Sequence, residues 1–224
     1  MDTAALRLSL ALAALTTGAL VAVGLPIAQW LVTSRARWRF LVEAVVALPL
    51  VLPPTVLGFY LLQGLGPSAP LGRAWEAMTG RPFPFTFEGL LVASILYSLP
   101  FAVQPFAAAL AAVDPRLLEA SRTLGASRLR TFLRVSLPLS RNGILAGAVL
   151  AFAHTLGEFG VVLMVGGNLA GRTRTLSIAI FDHVEALEYA AANRTAAFLL
   201  AFSFVVLVVV YALQRRPLLR WNGR

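Results

Sequence analysis

The sequence predicts an all-α integral membrane protein with five transmembrane helices, and three observations support this fold class. First, 58% of the 224 residues are hydrophobic and 13% are charged, whereas a soluble domain typically has about 25% charged residues. Second, the mean hydropathy is +0.79, and the sequence contains five apolar segments long enough to cross a bilayer. Third, the arginines are distributed by side of these segments, which indicates an external N-terminus and a cytoplasmic C-terminus.

The first apolar segment, residues 8–32, is predicted to be a retained membrane span. It is longer than the roughly 7 to 15 residues of a signal-peptide core. Arg35, Arg37 and Arg39 follow it immediately. Because short cytoplasmic loops are enriched in basic residues, these arginines are expected inside and the N-terminus outside.

The second span, residues 40–62, cannot be a regular helix because each of its prolines removes a backbone donor and crowds the preceding turn. Pro53 and Pro54 are adjacent in it, and the carbonyl groups that they leave free need protein or pore water nearby. Residues 64–88, rich in glycine and proline, are predicted to form an external loop. Residues 89–113 are predicted to form the third span.

A polar and basic stretch, residues 114–142, interrupts the apolar sequence after the third span. Residues 115–136 predict two short helices that are joined at Gly125, where the backbone turns. Leu137 and Pro138 are then expected to turn the chain back toward the bilayer. The two helices together predict a protruding cytoplasmic knob with an exposed apolar stripe and a basic flank.

The remaining segments complete a five-span topology. Residues 143–165 are the predicted fourth span and residues 196–213 the fifth, whereas residues 175–193 are too charged to cross lipid and predict an amphipathic external or half-buried helix. Thirteen of the 19 basic residues, all arginine, are predicted inside and six outside. The inside set is Arg35, Arg37, Arg39, Arg116, Arg122, Arg128, Arg130, Arg134, Arg141, Arg215, Arg216, Arg220 and Arg224, and the outside set is Arg7, Arg73, Arg81, Arg172, Arg174 and Arg194.

Composition also limits the function. The chain has no lysine and no phosphate-binding Gly-x-x-x-x-Gly-Lys-Ser/Thr loop, so it is not expected to hydrolyse ATP. The absence of cysteine excludes disulfides and thiolate metal sites. The +9 net charge does not indicate a nucleic-acid partner, because the arginines follow membrane sides instead of one polar module. We predict a single membrane domain, residues 1–224, with no catalytic residue, metal or cofactor.

The basic stretch carries a family pattern. It consists of Glu119, Ala120 and Ser121, then Gly125, then Leu137 and Pro138. This pattern resembles the EAA motif of permease subunits of binding-protein-dependent ABC importers, with Ser121 in place of the second alanine. The resemblance implies a type I ABC importer permease fold in which these six residues couple the chain to a separate ATPase. It also implies a homodimer with two cytoplasmic ATP-binding subunits and an extracytoplasmic oxyanion-binding protein, set in the lipid of the inner membrane.

Two further patterns resemble the molybdate and sulfate permeases. One is the proline-rich second span with Pro53 and Pro54, and the other is the GEFG element followed by a GN-x-x-G-x-T-x-T segment in residues 167–175. The resemblance implies molybdate import, with sulfate or tungstate as alternatives. Candidate pathway or gate residues are Pro53, Pro54, His154, Gly157, Glu158, Phe159 and Gly160. The prolines are equally consistent with a simple kink.

A rival hypothesis is an ion-coupled transporter that uses His154 and Glu158. These residues are four apart on one predicted helix face, and ionisable groups inside a membrane are functional candidates. The alternative is that they satisfy each other or a neighbour. An intramembrane hydrolase is disfavoured, since the sequence has neither an HExxH nor a Gly-x-Ser-x-Gly pattern. Arg172 and Arg174, beside the predicted external mouth, are candidates for docking the binding protein.

Overall fold

The computed structural model describes residues 2–215, with side chains described for residues 2–212, and its regular elements are all helices. The elements are α1 Thr3–Thr33, α2 Arg39–Val51, α3 Pro54–Leu65, α4 Pro70–Thr79, α5 Phe87–Ala111, α6 Pro115–Thr123, α7 Arg128–Thr131, a π turn Phe132–Ser136, α8 Leu137–Gly157, α9 Gly160–Gly166, α10 Leu176–Glu185 and α11 Tyr189–Arg215. The predicted cytoplasmic arginines at 216, 220 and 224 lie outside the described residues, as does the side chain of Arg215.

Four helices within residues 2–215 are long and apolar enough to cross a membrane. They are Thr3–Thr33, Phe87–Ala111, Arg128–Gly157 and Tyr189–Ala212. The α2 and α3 pair supplies a fifth span if the two are counted together, and they meet at an angle of 113°. The bend follows from the sequence, because a residue that precedes proline is pushed out of the helical region. Leu52 and Pro53 accordingly adopt ψ values of 135° and 136°, which confirms the predicted irregular second span.

The centre of the bundle is formed by α1, α5 and α8. Phe106 is fully buried there, in a cluster with Leu20, Val103 and Ile144. A Cβ atom on Gly147 of α8 would lie 2.9 Å from the Phe106 ring, so the absence of a side chain at this glycine lets α8 approach α5 closely. This close packing makes α1, α5 and α8 a rigid part of the bundle.

The chain does not turn at Leu137 and Pro138, so this prediction is wrong. Instead α7, the π turn and α8 form one continuous helix of 30 residues, Arg128–Gly157. In the π turn the Leu137 N–H donates to the carbonyl of Phe132, five residues earlier. This wider turn accommodates Pro138, which has no N–H to donate, without ending the helix. The second knob helix is therefore the start of the fourth span.

Two other segments differ from their predicted bounds. The helix of the fourth span ends at Gly157 instead of continuing to residue 165, since Glu158 is extended, with φ −64° and ψ 135°. Residues 175–193 do not form one helix. The helix α10 ends at Glu185, Leu187 adopts a φ of +60°, and α11 begins at Tyr189, before the predicted start of the fifth span at residue 196.

Within residues 2–212, arginines from the two predicted sets lie at opposite ends of the bundle. Leu31 at the end of α1 packs in one cluster with Leu110 and Phe132, which places the basic loop after α1 beside the α6–α7 knob. At the other end, Asp2 shares a pocket with Arg174 and Arg194. The arginines after α1 and those beside Asp2 are therefore separated along the bundle, as the topology prediction requires of them.

Candidate functional site

Two helix breaks meet at one place in the bundle. The helix α3 begins at Pro54 and α9 begins at Gly160, and a Cβ atom on Gly160 would lie 2.7 Å from the Cβ atom of Pro54. One turn further along, a Cβ atom on Gly58 would lie 2.7 Å from the Cβ atom of Met164. Because only glycine permits such an approach, α3 and α9 have their backbones nearly in contact. The structure thus brings the predicted Pro53, Pro54 and Gly160 together.

Glu158 is buried at the second of these breaks. The residue is 4% exposed, and its backbone N–H donates to the carbonyl of Thr155 at 3.3 Å. Neither of its carboxylate oxygens has a hydrogen-bond partner within residues 2–212, and the buried hydroxyl of Ser94 also has none there. Burying a polar group without a hydrogen bond costs free energy. A carboxylate that is kept in such a position is therefore a candidate for function.

His154 is held by neighbours other than Glu158. Its Nδ1 atom lies 2.9 Å from the Ser98 hydroxyl, and that hydroxyl lies 2.9 Å from the Thr155 hydroxyl. The imidazole also stacks on the Phe101 ring, with centroids 3.7 Å apart. The four-residue spacing of His154 and Glu158 does not join them, because the helix ends at Gly157 between them. His154 is thus satisfied by a neighbour on α5.

Sequence reasoning missed the two serines of α5. Ser94 and Ser98 are both fully buried, and they are four residues apart in a mostly apolar span, so they occupy one helix face. This repeated small hydroxyl was the available signal. Phe159, the remaining candidate here, packs with its ring centroid 5.2 Å from that of Phe181, so it links the break to α10.

The knob projects from the bundle end that carries the basic loop. The helix α6 has no buried residue, and Leu124, at its end, is 88% exposed. Gly125 has a φ of +81°, which confirms the predicted left-handed turn. The Gly125 N–H donates to the Arg122 carbonyl at 2.9 Å, and the Ala126 N–H donates to the Ser121 carbonyl at 3.1 Å. This pair of bonds is the Schellman arrangement that ends a helix at glycine.

The serine that departs from the EAA pattern has a structural role. The Ser121 hydroxyl lies 3.0 Å from the Thr131 hydroxyl, and this contact joins α6 to α7. Glu119 and Ala120 are exposed on the outer side of α6. Within the pattern, therefore, serine faces the protein while its two neighbours remain available for contact. Leu137 and Pro138 lie apart from them, at the start of α8.

Arg172 and Arg174, the candidates for docking the binding protein, have different environments. The Arg174 Nε atom donates to Asn168 at 2.7 Å, its Nη2 atom lies 3.3 Å from an Asp182 carboxylate oxygen, and Asn168 donates to Asp182 at 2.6 Å. These three side chains form a closed network. Arg172 is exposed, and its side chain forms no ion pair within residues 2–212. Arg172 is thus the more accessible of the two.

A polar pocket adjoins this network, and the sequence did not indicate it. It has a volume of about 390 Å³, and its charged or ionisable lining residues are Asp2, Arg174, Asp182, His183, Glu188 and Arg194. His183 Nδ1 and Glu188 Oε2 are 2.8 Å apart across the turn between α10 and α11. The pocket joins the start of α1 to both of these helices.

Comparison with known proteins identifies the family. Residues 10–218 match the family described as binding-protein-dependent transport system inner membrane component. The molybdenum transport system permease protein ModB of Azotobacter vinelandii is 54% identical over 96% of this chain and 95% of its own length. The sulfate transport system permease protein CysT of Escherichia coli strain K12 is 35% identical over 84% of this chain and 68% of its own length.

A solved structure shows the same fold. The chain is similar to one from the inward-facing MetNI methionine ABC transporter, with a TM-score of 0.74, 18% identity, and coverage of 95% of this chain and 96% of the other. The helices described for this chain and its family match agree on a multi-pass membrane architecture. The chain therefore belongs to the binding-protein-dependent transport system inner membrane component family and is a multi-pass protein of the inner membrane.

Proposed function

We propose that this chain is the permease subunit of an ABC importer that carries molybdate across the inner membrane. The similarity to the A. vinelandii molybdenum permease, which extends over nearly the whole of both chains, carries the proposal. The sulfate permease is less similar and matches over a smaller share of its length, so sulfate is less supported. Tungstate remains an alternative cargo, because its oxyanion is chemically almost the same.

The importer is proposed to contain two copies of this chain, two ATP-binding subunits and an extracytoplasmic binding protein. Five spans in one copy are too few to enclose a pathway readily, which favours a symmetric dimer. The arginine segregation supports an external N-terminus and a cytoplasmic C-terminus. In this orientation the α6–α7 knob faces the ATP-binding subunits, and Arg172 faces the binding protein.

The knob is proposed to couple ATP hydrolysis to transport. Its exposed apolar side chains, Leu117, Leu124, Leu129 and Leu133, are 47%, 88%, 67% and 51% accessible. Together with the surrounding arginines, they suit a cleft on a separate subunit that is apolar at its centre and acidic at its rim. Glu119 and Ala120 lie on the same exposed helix and contribute to this contact, while Ser121 fixes the angle between α6 and α7.

The transport pathway is proposed to pass the place where α3 and α9 begin. Pro53 and Pro54 end the helical backbone on one side, and Gly157 to Gly160 end it on the other. Non-helical backbone at membrane depth is tolerated where it is buried in protein or lines a water-filled cavity. The close contact between Pro54 and Gly160 makes the two breaks one mechanical unit, which suits a gate.

A reconstitution experiment tests the proposal. The chain, its ATPase and its binding protein are placed in proteoliposomes, and molybdate uptake is measured with ATP inside, with and without competing sulfate. We expect uptake that requires ATP and prefers molybdate. A preference for sulfate would reassign the cargo.

The same proteoliposomes test the ion-coupled rival, which the unpartnered Glu158 carboxylate favours. Collapse of the proton gradient with an uncoupler is expected to leave uptake intact while internal ATP stays high. We disfavour the rival because His154 contacts Ser98 and Phe101, and no hydrogen bond within residues 2–212 joins it to Glu158. Uptake that stops with the uncoupler would support it instead.

A further inference from the structure

An apolar groove lies on the outer surface of the bundle, at the end of α1. Pro26, Ile27 and Trp30 of α1 line one wall, and Trp38 and Val42 line the other. Its volume is about 400 Å³, and it is shallow and open toward the surroundings of the bundle. Pro26 lies inside α1, and its ring forms part of the groove wall.

Basic and aromatic groups stand at one end of the groove. Arg35 and Arg37, in the short connection between α1 and α2, are exposed, and neither forms an ion pair within residues 2–212. Arg39 differs, because its Nε atom is paired with Glu43 at 2.8 Å. The Trp30 and Trp38 ring centroids are 5.0 Å apart. Tryptophan and arginine together are typical of the boundary between hydrocarbon and lipid headgroups.

We propose that this groove binds one anionic phospholipid. An acyl chain lies along the wall from Pro26 to Val42, and the phosphate pairs with Arg35 and Arg37. The indole N–H groups of the tryptophans are donors suited to the ester and phosphate oxygens. The site is separate from the proposed pathway and does not depend on which oxyanion is transported.

Charge argues for a lipid and against a second copy of the chain in this groove. In a two-fold symmetric contact each patch meets the same patch of its partner. A two-fold axis near the basic end of the groove would bring four arginines, Arg35 and Arg37 of both copies, into one contact, and this concentration of like charge is unfavourable. In a phospholipid, by contrast, the apolar tail would contact the apolar wall of the groove and the negative headgroup would contact the arginines.

Native mass spectrometry of the full chain in mild detergent tests the proposal. The protein is titrated with phosphatidylglycerol and with phosphatidylcholine of identical acyl chains. We expect tighter binding of phosphatidylglycerol, and Arg35→Gln with Arg37→Gln is expected to weaken it about 30-fold. A matched control, Arg7→Gln with Arg73→Gln, removes two exposed arginines elsewhere and is expected to leave the affinity unchanged. Equal loss in the two double variants would overturn the site.

Two further measurements keep the proposal falsifiable if the glutamine variant folds poorly. Replacement of Arg35 and Arg37 by lysine keeps the charge and is expected to retain most of the affinity. Because the chain has no cysteine, Val42→Cys provides a unique labelling point. A fluorophore there is expected to be quenched by brominated phosphatidylglycerol more than by the brominated choline lipid. Efficient disulfide formation between two copies of the Val42→Cys variant, without preferential quenching by brominated phosphatidylglycerol, would assign the groove to a second copy and overturn the proposal.

Discussion

Gly125 offers the sharpest test of the coupling role proposed for the knob. This position requires glycine because of its backbone conformation and not because of a lack of space. A Cβ atom on Gly125 would meet nothing within 4 Å, yet its φ is +81°. A larger side chain is therefore disfavoured by backbone strain alone. We consider three replacements that differ in this strain, Gly125→Asn, Gly125→Ala and Gly125→Val.

The magnitudes follow from the left-handed backbone. An ordinary L-residue in this region costs about 1 to 2 kcal/mol, and asparagine less, because it visits the region routinely. Alanine is expected to cost about 1 kcal/mol, which is about a fivefold change in population. A β-branched valine is expected to cost more. Loss of the turn would break the two bonds to the carbonyls of Ser121 and Arg122, which are 3.1 and 2.9 Å long, and would release α6 from α7.

The assay is ATP hydrolysis by the reconstituted complex, stimulated by molybdate-loaded binding protein. We expect stimulation to fall in the order glycine, asparagine, alanine, valine, with membrane insertion unchanged in all four proteins. Two results would refute the reasoning. Stimulation of the valine variant equal to that of the glycine protein would mean that the turn has no coupling role. Stimulation of the asparagine variant as low as that of the valine variant would mean that the position needs space against a partner.

Three other predictions concern the breaks and the external segment. Glu158→Gln keeps hydrogen bonding but carries no proton, so near-normal ATP-driven uptake is expected, and abolished uptake in an intact complex would support a relay. Gly160→Ala would place a methyl carbon 2.7 Å from the proline of α3 and is expected to cost about 1 to 3 kcal/mol, seen as a lower melting temperature. Gly18→Ala, inside α1 where a Cβ meets nothing within 4 Å, is its control and is expected to keep or slightly raise the melting temperature, because alanine is favoured over glycine inside a helix. Equal melting temperatures of the two variants would contradict the close packing. Arg172→Gln is expected to reduce binding-protein-stimulated ATPase activity in a salt-sensitive way, while Arg174→Gln also lowers thermal stability. A changed molybdate-to-sulfate preference in either variant would show that this chain reads the anion.

Features that depend on short stretches of sequence were predictable. The apolar segments follow from composition, and the broken second span follows from the geometry of Pro53 and Pro54. The turn at Gly125 was predictable for the same reason, because glycine alone enters the left-handed region without cost. These are local properties, which the chain carries into any fold.

Features that depend on neighbours were not predictable. Pro138 was expected to mark a turn, but the preceding π turn accommodates it within a continuous helix. Ser98, which binds His154, is 56 residues away in sequence. The pairing of Arg174 with Asp182 likewise requires α10 to fold back on the external segment. Residue spacing on an ideal helix also suggested a link between His154 and Glu158. The helix ends at Gly157, so this link does not form.

The continuous helix from Arg128 to Gly157 has a mechanical consequence. Its 30 residues make a rod about 45 Å long, against a hydrocarbon core of about 30 Å. One end of the rod belongs to the knob and the other stops beside Glu158. No linker interrupts it, so a displacement of the knob reaches the helix break as tilt or translation of a single body. Under the proposed coupling role, communication between the two ends is expected as rigid-body motion, which falls on the microsecond to millisecond scale.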